Sequence, residues 1–235
     1  MSDIARGELN GVKIYPFTSV KHLLDFFKER SGILVAVNAV KVITANDLTR
    51  GIINNNIGYV DGVGVQKALR HKGFKNVVKI AGCDLWLEII KKYQDEYSFY
   101  LVGGKQVVID ETVEKLKENF PGISIAGYRN GYIKSDEERN ALIEDIEKKK
   151  PNVVFVAMGS PKQELLMADM LKKHPAIYQG LGGSFDAYIG RVKRAPKWWI
   201  DHNLEFLYRF IKQPKRYKNQ LLCLKFYIKM KLGKL

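Results

Sequence analysis

Asp61 is the residue whose type and setting in the sequence best suit catalysis. It directly follows the apolar run Gly58-Tyr59-Val60 and precedes Gly62. It is therefore predicted to stand at the carboxyl end of a strand, where open α/β sheets bind their ligands. A carboxylate there can accept the proton of an attacking hydroxyl group. The alternative is a structural role, in which Asp61 caps a helix predicted to begin near Val63.

Glycines and polar residues follow the other predicted strands as well. Glycine lets a ligand approach the backbone closely, and the helix N-termini behind such turns offer N–H groups to phosphate. One such turn alone has a structural explanation, but several at the same sheet edge favour a phosphate-bearing ligand. The candidate binding residues at these turns are Asn38, Lys79, Gly82, Gly103, Gly104, Lys105, Gly159, Ser160, Lys162, Gln163 and Asp186.

Three of these candidates have specific alternatives. Lys162 and Gln163 open a predicted helix, where they either hold a phosphate or a sugar hydroxyl or face solvent. Asp186 has the same ambiguity as Asp61, and its pattern favours the structural role.

Several known site motifs are absent. The chain has no G-x-x-x-x-G-K-[ST] sequence, and Gly62-Val63-Gly64 lacks the third glycine of the G-x-G-x-x-G motif. The histidines and cysteines have no metal-ligand spacing, and no Asp-x-Asp follows an apolar strand. A G-x-S-x-G nucleophile is missing too. We therefore expect neither an organic cofactor nor a dedicated metal site.

The elements that must position these residues alternate along the chain. Short apolar runs, typical of strands buried on both faces, occur at Ile33–Val37, Ser98–Val102, Val153–Ala157 and Ile177–Leu181. Val78-Lys79-Ile80 is interpreted as a further strand. Between the runs lie amphipathic helical patterns. The sequence predicts an α/β fold with a Rossmann-like, mostly parallel sheet flanked by helices.

Three of the predicted helices have clear sequence signals. An apolar stripe runs from Ile109 to Phe120. Ser135 begins a capping sequence that opens a helix through Ile146. Pro161 is placed in the first turn of a third helix.

Composition indicates a globular protein without a membrane span. The chain has 235 residues, of which 46% are hydrophobic, enough for one domain with an appendage. No run approaches the ~18 apolar residues of a spanning helix, and the first residues lack an apolar signal segment. Cys83 and Cys223 cannot form a disulfide framework, so we expect a reducing, cytoplasmic compartment.

Positive charge is concentrated towards the C-terminal end. The formal net charge is +14, and residues 191–235 contain 13 Lys and Arg against two acidic residues. The chain is accordingly divided into an α/β catalytic domain over residues 1–190 and a cationic appendage over residues 191–235.

The appendage has the pattern of basic amphipathic helices. Residues 203–213 and 216–232 are predicted helical, with Pro214 between them. In the second helix, apolar residues form one stripe and lysines another; they are Tyr217, Leu221, Leu224 and Ile228, and Lys218, Lys225 and Lys229. Such a helix suits an anionic membrane surface. The alternatives are docking on the body with a solvated basic face, and nucleic-acid binding, for which no motif is present.

The whole chain from about Leu9 resembles the WecG/TagA/CpsF glycosyltransferases, glycosyltransferase family 26. The segments that carry the resemblance are VAVNAVKVITAND, YVDGVGV, KIAGCDLW, FYLVGGK, GYRNGYI, VAMGSPKQE, GGSFDAYIGRVKRAPKWW and LEFLYRFIKQPKR. GSPKQE followed by RAP and LYR is the most specific combination. The sequences of these segments are most similar to the WecG branch. Its enzymes transfer N-acetylmannosaminuronic acid from its UDP-linked donor to undecaprenyl-diphosphate-linked N-acetylglucosamine. The TagA branch transfers N-acetylmannosamine to the same kind of acceptor.

The resemblance implies roles for individual residues. It makes Asp61 the base of an inverting transfer, and matches Asn38 and Gln163 to conserved polar positions. Lys79 replaces a family arginine, which keeps the charge but loses the bidentate fork. Asn219 stands where the family has a further arginine. In the appendage, the resemblance and the charge pattern place Arg194, Arg209 and Arg216 near the substrates, where cations stabilise a leaving diphosphate.

The resemblance also implies partners and a location. The expected partners are a UDP-sugar donor, a polyprenyl-diphosphate-linked sugar acceptor and an anionic membrane surface, without nucleic acid. The expected location is cytoplasmic, peripheral on the inner face of the plasma membrane. The donor sugar stays open. A nucleic-acid-binding protein and a sugar-nucleotide-binding regulator are the alternatives that are not enzymes.

Overall fold

The structure is a computed structural model that describes residues 4–28, 30–193, 195–196, 198–199, 202, 208 and 217–235. Three predicted site residues, Arg194, Arg209 and Arg216, lie outside the described residues, as does almost all of the helix predicted over 203–213.

A six-stranded parallel sheet forms the centre of the body. A two-stranded antiparallel hairpin, β1 (Gly7–Leu9) and β2 (Val12–Ile14), precedes it. The strands of the sheet are β3 (Gly32–Val37), β4 (Ile57–Val60), β5 (Ser98–Gly103), β6 (Ser124–Arg129), β7 (Val153–Ala157) and β8 (Ile177–Gly180). Their spatial order is β4-β3-β8-β7-β5-β6, and every pairing is parallel. The predicted α/β class and parallel sheet are confirmed.

Most of the strand predictions agree with the structure to within one residue at each end. The strand predicted at Val78-Lys79-Ile80 is wrong, because this segment makes only separate backbone bonds, such as Ile80 N–H to Val60 O at 2.7 Å. Strand β6 was not predicted. It is the partly exposed edge strand of the sheet, so it lacks the continuous apolar run of a buried strand.

Helices cover both faces of the sheet. One layer contains α2 (Ala39–Thr44), α3 (Asp47–Asn54), α4 (Val63–His71), α7 (Asp136–Lys149) and α8 (Lys162–Lys173). The other layer contains α1 (Val20–Phe27), α5 (Gly82–Tyr93), α6 (Gln106–Asn119) and α9 (Ser184–Tyr188). Among the described residues, no helix combines the length and apolar character needed to cross a bilayer.

The predicted helices α6, α7 and α8 are confirmed. Ser135 caps α7 by accepting a hydrogen bond from the Glu138 N–H at 3.3 Å. Lys150 ends the helix in a left-handed conformation, just before Pro151. Pro161 stands one position earlier than predicted, at the N-cap of α8.

A last described helix, α10 (Tyr217–Lys231), packs on the body. The helix was predicted over residues 216–232, of which residue 216 lies outside the described residues, and it ends one residue earlier than predicted. Phe226 is fully buried in the core that α2 and α4 share, whereas Tyr217, Leu221, Leu224 and Ile228 are exposed. Docking on the body and binding to an anionic membrane were alternatives for this helix. The buried Phe226 shows that one face docks on the body, and membrane binding by the exposed face stays a prediction. The division of the chain at residue 190 stays a prediction.

Candidate active site

The turns that follow the six strands lie at one edge of the sheet, because all of the strands run parallel. The connection from β5 leads outward to β6, whereas the connection from β7 leads the other way to β8. Helices α6 and α8 therefore lie on opposite faces. The turns that open them therefore stand at a topological switch point of the sheet, the position at which open α/β sheets bind ligands.

Asp61 lies at this edge with its carboxylate against the start of a helix. Its Oδ1 accepts a hydrogen bond from the Gly82 N–H at 2.9 Å, and Gly82 is the first residue of α5. The N-cap position of α4 belongs to Gly62. Asp61 thus caps the start of α5, whereas the structural alternative considered from the sequence was a cap on the helix near Val63. The N-terminal end of a helix stabilises negative charge, which suits a group that must act as a carboxylate.

Asn38 and Asp61 are neighbours at the ends of adjacent strands. Val37 pairs with Val60, so the residues that follow them stand side by side. Asn38 Oδ1 accepts a hydrogen bond from the Lys41 N–H at 3.1 Å and thereby caps α2. The structure thus brings two of the predicted site residues together.

A buried polar network lies beneath Asp61 and was not predicted. Gln179 of β8 is fully buried, and its Nε2 donates to the Gly82 carbonyl oxygen at 3.1 Å. The Tyr59 hydroxyl is 3.5 Å from the same nitrogen. Burial raises the pKa of Tyr59 well above its usual value, and the charge of Asp61 raises it further. Tyr59 therefore stays a neutral hydroxyl. The available sequence signal was a glutamine inside the apolar run at β8.

Gln163 links two glycine turns of the edge. Its Oε1 accepts hydrogen bonds from the Gly159 N–H at 3.1 Å and the Gly182 N–H at 2.9 Å. Its Nε2 donates to Glu164 Oε1 at 3.2 Å. A side chain at Gly180 would collide with this amide, since a Cβ there would stand 2.3 Å from Nε2. The amide is engaged within the protein, and a contact between Gln163 and substrate stays a prediction.

Lys41 and Glu164 form a buried ion pair that sequence reasoning missed. Lys41 Nζ is 2.7 Å from Glu164 Oε1, and the side chain of Glu164 is only 6% exposed. Burial by itself raises the pKa of Glu164, but the Lys41 charge and the hydrogen bonds from Lys41, Ser160 and Gln163 outweigh it, so the net shift is downward. The pair ties α2, which begins beside Asn38, to the first turn of α8. A glutamate in a first helical turn did not stand out in the sequence, since acidic residues are common there.

Replacing Glu164 with alanine is expected to lower the free energy of unfolding by about 3 kcal/mol, because Lys41 would keep a buried charge without its partner. Glu164→Gln should cost less, since an amide oxygen can still accept from Lys41. The pKa of Glu164 is lowered in the folded state, so its contribution is present above the ordinary glutamate pKa and is lost as the pH falls. Urea unfolding at several pH values measures both effects. Equal stability of Glu164→Ala and the wild type would contradict this assignment.

Helix N-termini without side-chain caps cluster at the same edge. No side-chain cap is present at the N-cap residue of α4, α6, α8 or α9, whereas Asn38 caps α2 and Ser135 caps α7. The turn before α6 needs glycine, because a Cβ on Gly103 would lie 2.4 Å from the Ala157 carbonyl oxygen. Gly104 adopts a left-handed conformation with φ of 65°. These termini can donate backbone N–H groups to an anion.

Five further candidate residues stand at the edge and differ in how exposed their side chains are. Ser160, Lys162 and Lys105 are exposed, and Lys79 is partly buried. None of the three lysines forms an ion pair with a side chain that the structure describes. Asp186 lies in the first turn of α9 and is partly buried. Within the described part of the chain, no group of three or more His, Cys, Asp or Glu side chains is arranged to hold a metal ion.

A comparison with known protein families identifies the family to which the chain belongs. Residues 8–234 match the family described as Glycosyl transferase WecG/TagA/CpsF family. The match covers the sheet, the edge that carries Asp61 and Asn38, and the helix α10. The chain therefore belongs to the WecG/TagA/CpsF family, and the protein is a glycosyltransferase.

Proposed function

We propose that the protein transfers an N-acetylmannosaminuronic acid residue, or a related N-acetylhexosamine, from a UDP-sugar to undecaprenyl-diphosphate-linked N-acetylglucosamine. The step belongs to the biosynthesis of a bacterial cell-surface polysaccharide, such as enterobacterial common antigen. The observation that carries the proposal is the Asp61 carboxylate, held at the N-terminus of α5 and beside Asn38. A transferase of teichoic-acid type that uses UDP-N-acetylmannosamine, or another capsule or exopolysaccharide hexosyltransferase, is the alternative within the family.

The mechanism is a single displacement at the anomeric carbon. The acceptor hydroxyl oxygen attacks the face opposite UDP, a new C–O bond forms, and the bond to the UDP oxygen breaks. Asp61 takes the hydroxyl proton. One displacement inverts the configuration at the anomeric carbon, and UDP leaves with the bonding electron pair.

The leaving diphosphate needs positive charge and N–H donors around it. Lys105 at the start of α6 and Lys162 at the start of α8 stand at the topological switch point of the sheet, and both helix termini lack side-chain caps. Lys79 supplies a further cation at the edge. We assign additional contacts to Arg194, Arg209 and Arg216 of the appendage, which lie outside the described residues.

The membrane is the proposed site of action, because the acceptor is anchored in it. The outward face of α10 carries four exposed apolar side chains, Tyr217, Leu221, Leu224 and Ile228, with Lys218, Lys225 and Lys231 exposed beside them, and Leu232 just after the helix is exposed as well. Apolar side chains can enter the headgroup boundary while lysines contact anionic lipid. The protein would thus be peripheral on the cytoplasmic face of the plasma membrane.

Acceptor-dependent release of UDP tests the proposal. A panel of UDP-sugars is offered with polyprenyl-diphosphate-linked N-acetylglucosamine in detergent or liposomes. We expect release to require both the acceptor and one class of UDP-N-acetylhexosamine or its uronate. Donor hydrolysis that ignores the acceptor, or no release with any donor, would contradict the proposed reaction.

Transfer is expected to survive chelation by EDTA. The candidate site provides lysines and helix termini in place of a metal, and no ligand cluster lies among the described residues. The measurement is the initial rate of UDP release before and after dialysis against EDTA. A complete loss that Mg²⁺ or Mn²⁺ restores would reveal a carboxylate site for a hard cation.

A further inference from the structure

The two faces of α10 have different surroundings. On the inner face, Phe226 is fully buried, and Cys223 and Met230 pack against the same core. On the outer face, Leu224 and Ile228 are 57% and 52% exposed. The helix is therefore clamped to the body by one face and presents the other to its environment.

The inner face rests on the two helices that begin at the candidate catalytic residues. The Phe226 ring packs on Gly64 of α4, where an added Cβ would stand 3.2 Å from Cε1 of the ring. It shares its core with Val42 of α2. Helix α2 starts directly after Asn38, and α4 starts directly after Asp61-Gly62. Gly64 and Val42 follow Asp61 and Asn38 by three and four residues in the sequence. Helix α10 therefore packs on the segments that position the proposed reaction centre.

We propose that α10 fixes the orientation of the catalytic edge on the membrane, and that Phe226 is the positioning residue that clamps it. The inference rests on the proposed function, because it needs a membrane-bound acceptor. It adds that lipid binding and productive orientation are separate properties, carried by opposite faces of one helix.

The physical reason is the entropic cost of orienting the protein body relative to the lipid-anchored acceptor. An acceptor anchored by its lipid presents its sugar close to the headgroups, so only some orientations of the body bring Asp61 to the acceptor hydroxyl. A helix docked through a buried aromatic ring limits the body to a narrow set of orientations. If the helix were joined to the body only through the polypeptide backbone, the body could sample many orientations relative to the membrane, most of them unproductive. An acceptor that is free in solution can diffuse to the site in any orientation and gains nothing from the clamp.

The test is Phe226→Ala in the full-length protein, with two acceptors. One is polyprenyl-diphosphate-linked N-acetylglucosamine in anionic liposomes, and the other is a water-soluble, short-chain analogue. We expect transfer to the embedded acceptor to fall about tenfold further than turnover of the soluble acceptor, while co-sedimentation with liposomes stays at the wild-type value. Phe226→Leu, which keeps an apolar side chain on Gly64, should restore most of the transfer.

Leu224→Ser is the matched control on the opposite face of the same helix. It should weaken co-sedimentation and leave turnover of the soluble acceptor unchanged. Cys223 supplies a direct report on docking, since burial raises the pKa of its thiol and slows its alkylation. Peptide-resolved mass spectrometry should show faster alkylation of Cys223 in Phe226→Ala.

Three results would overturn the inference. The first is equal loss with both acceptors, which would mark Phe226 as a residue for general stability. The second is undiminished transfer to the embedded acceptor, and the third is unchanged alkylation of Cys223. A wild-type protein that uses neither acceptor would instead contradict the proposed function, so the two failures are distinguishable.

Discussion

Asp61→Asn is expected to lower turnover by about 10²–10⁴-fold, the usual contribution of a general base. The asparagine amide cannot take the proton of the acceptor hydroxyl. Its oxygen can still accept the hydrogen bond from the Gly82 N–H that the Asp61 carboxylate accepts at 2.9 Å. The start of α5 and the fold should therefore persist, and donor affinity should change little. Initial rates of UDP release and the KM for the donor separate these effects.

The matched control for Asp61→Asn is Asp136→Asn, which removes an exposed carboxylate from the first turn of α7. It should leave turnover at the wild-type value. Urea unfolding of both variants checks that the fold is intact. Near-normal turnover of Asp61→Asn would assign this carboxylate a structural role in place of the catalytic one.

Truncation after Gly190 is expected to abolish both liposome binding and transfer to a lipid-linked acceptor. It removes 13 Lys and Arg residues, each worth about 1 kcal/mol near an anionic surface and screened by salt. It also removes the exposed apolar face of α10 and the Phe226 ring from the core. Co-sedimentation with anionic liposomes at low and high salt measures the first effect, and UDP release measures the second.

The soluble, short-chain acceptor separates anchoring from catalysis in the truncated protein. If Arg209 and Arg216 reach the leaving diphosphate, the truncated body should be slow with this acceptor as well. Arg209→Ala and Arg216→Ala in the full chain should then cut turnover while most liposome binding persists, because many other cations remain. Normal turnover of the soluble acceptor by the folded, truncated body would make the appendage an anchor alone.

The sequence was informative wherever a local pattern determines the structure. Strand β7 is an unbroken apolar run, and its predicted and observed limits coincide at Val153–Ala157. The start of helix α7 was predictable because the Ser135 cap is a signal within the local sequence. Val78-Lys79-Ile80 has apolar residues on either side of a lysine and makes no continuous ladder with a neighbouring strand. Edge strand β6 is only partly buried along its length, so its sequence pattern was weak.

The parts of the site that sequence reasoning missed depend on distant contacts. Lys41 and Glu164 are 123 residues apart in the chain, and nothing local indicates that they meet. Gln163 was placed at the correct edge, but only the folded turns reveal that its amide bonds Gly159 and Gly182. For α10, periodicity identified an apolar stripe without telling which face the body covers. The buried residue proved to be Phe226, outside that stripe.

The most direct test of the proposed reaction is the product itself. Wild-type protein and Asp61→Asn are incubated with UDP-sugars and polyprenyl-diphosphate-linked N-acetylglucosamine, and the lipid-linked disaccharide is measured by mass spectrometry and its linkage by NMR. We predict a disaccharide with inverted anomeric configuration from the wild type, formed about 10²–10⁴-fold more slowly by Asp61→Asn. A product with retained configuration, or equal rates for the two proteins, would contradict a single displacement in which Asp61 is the base.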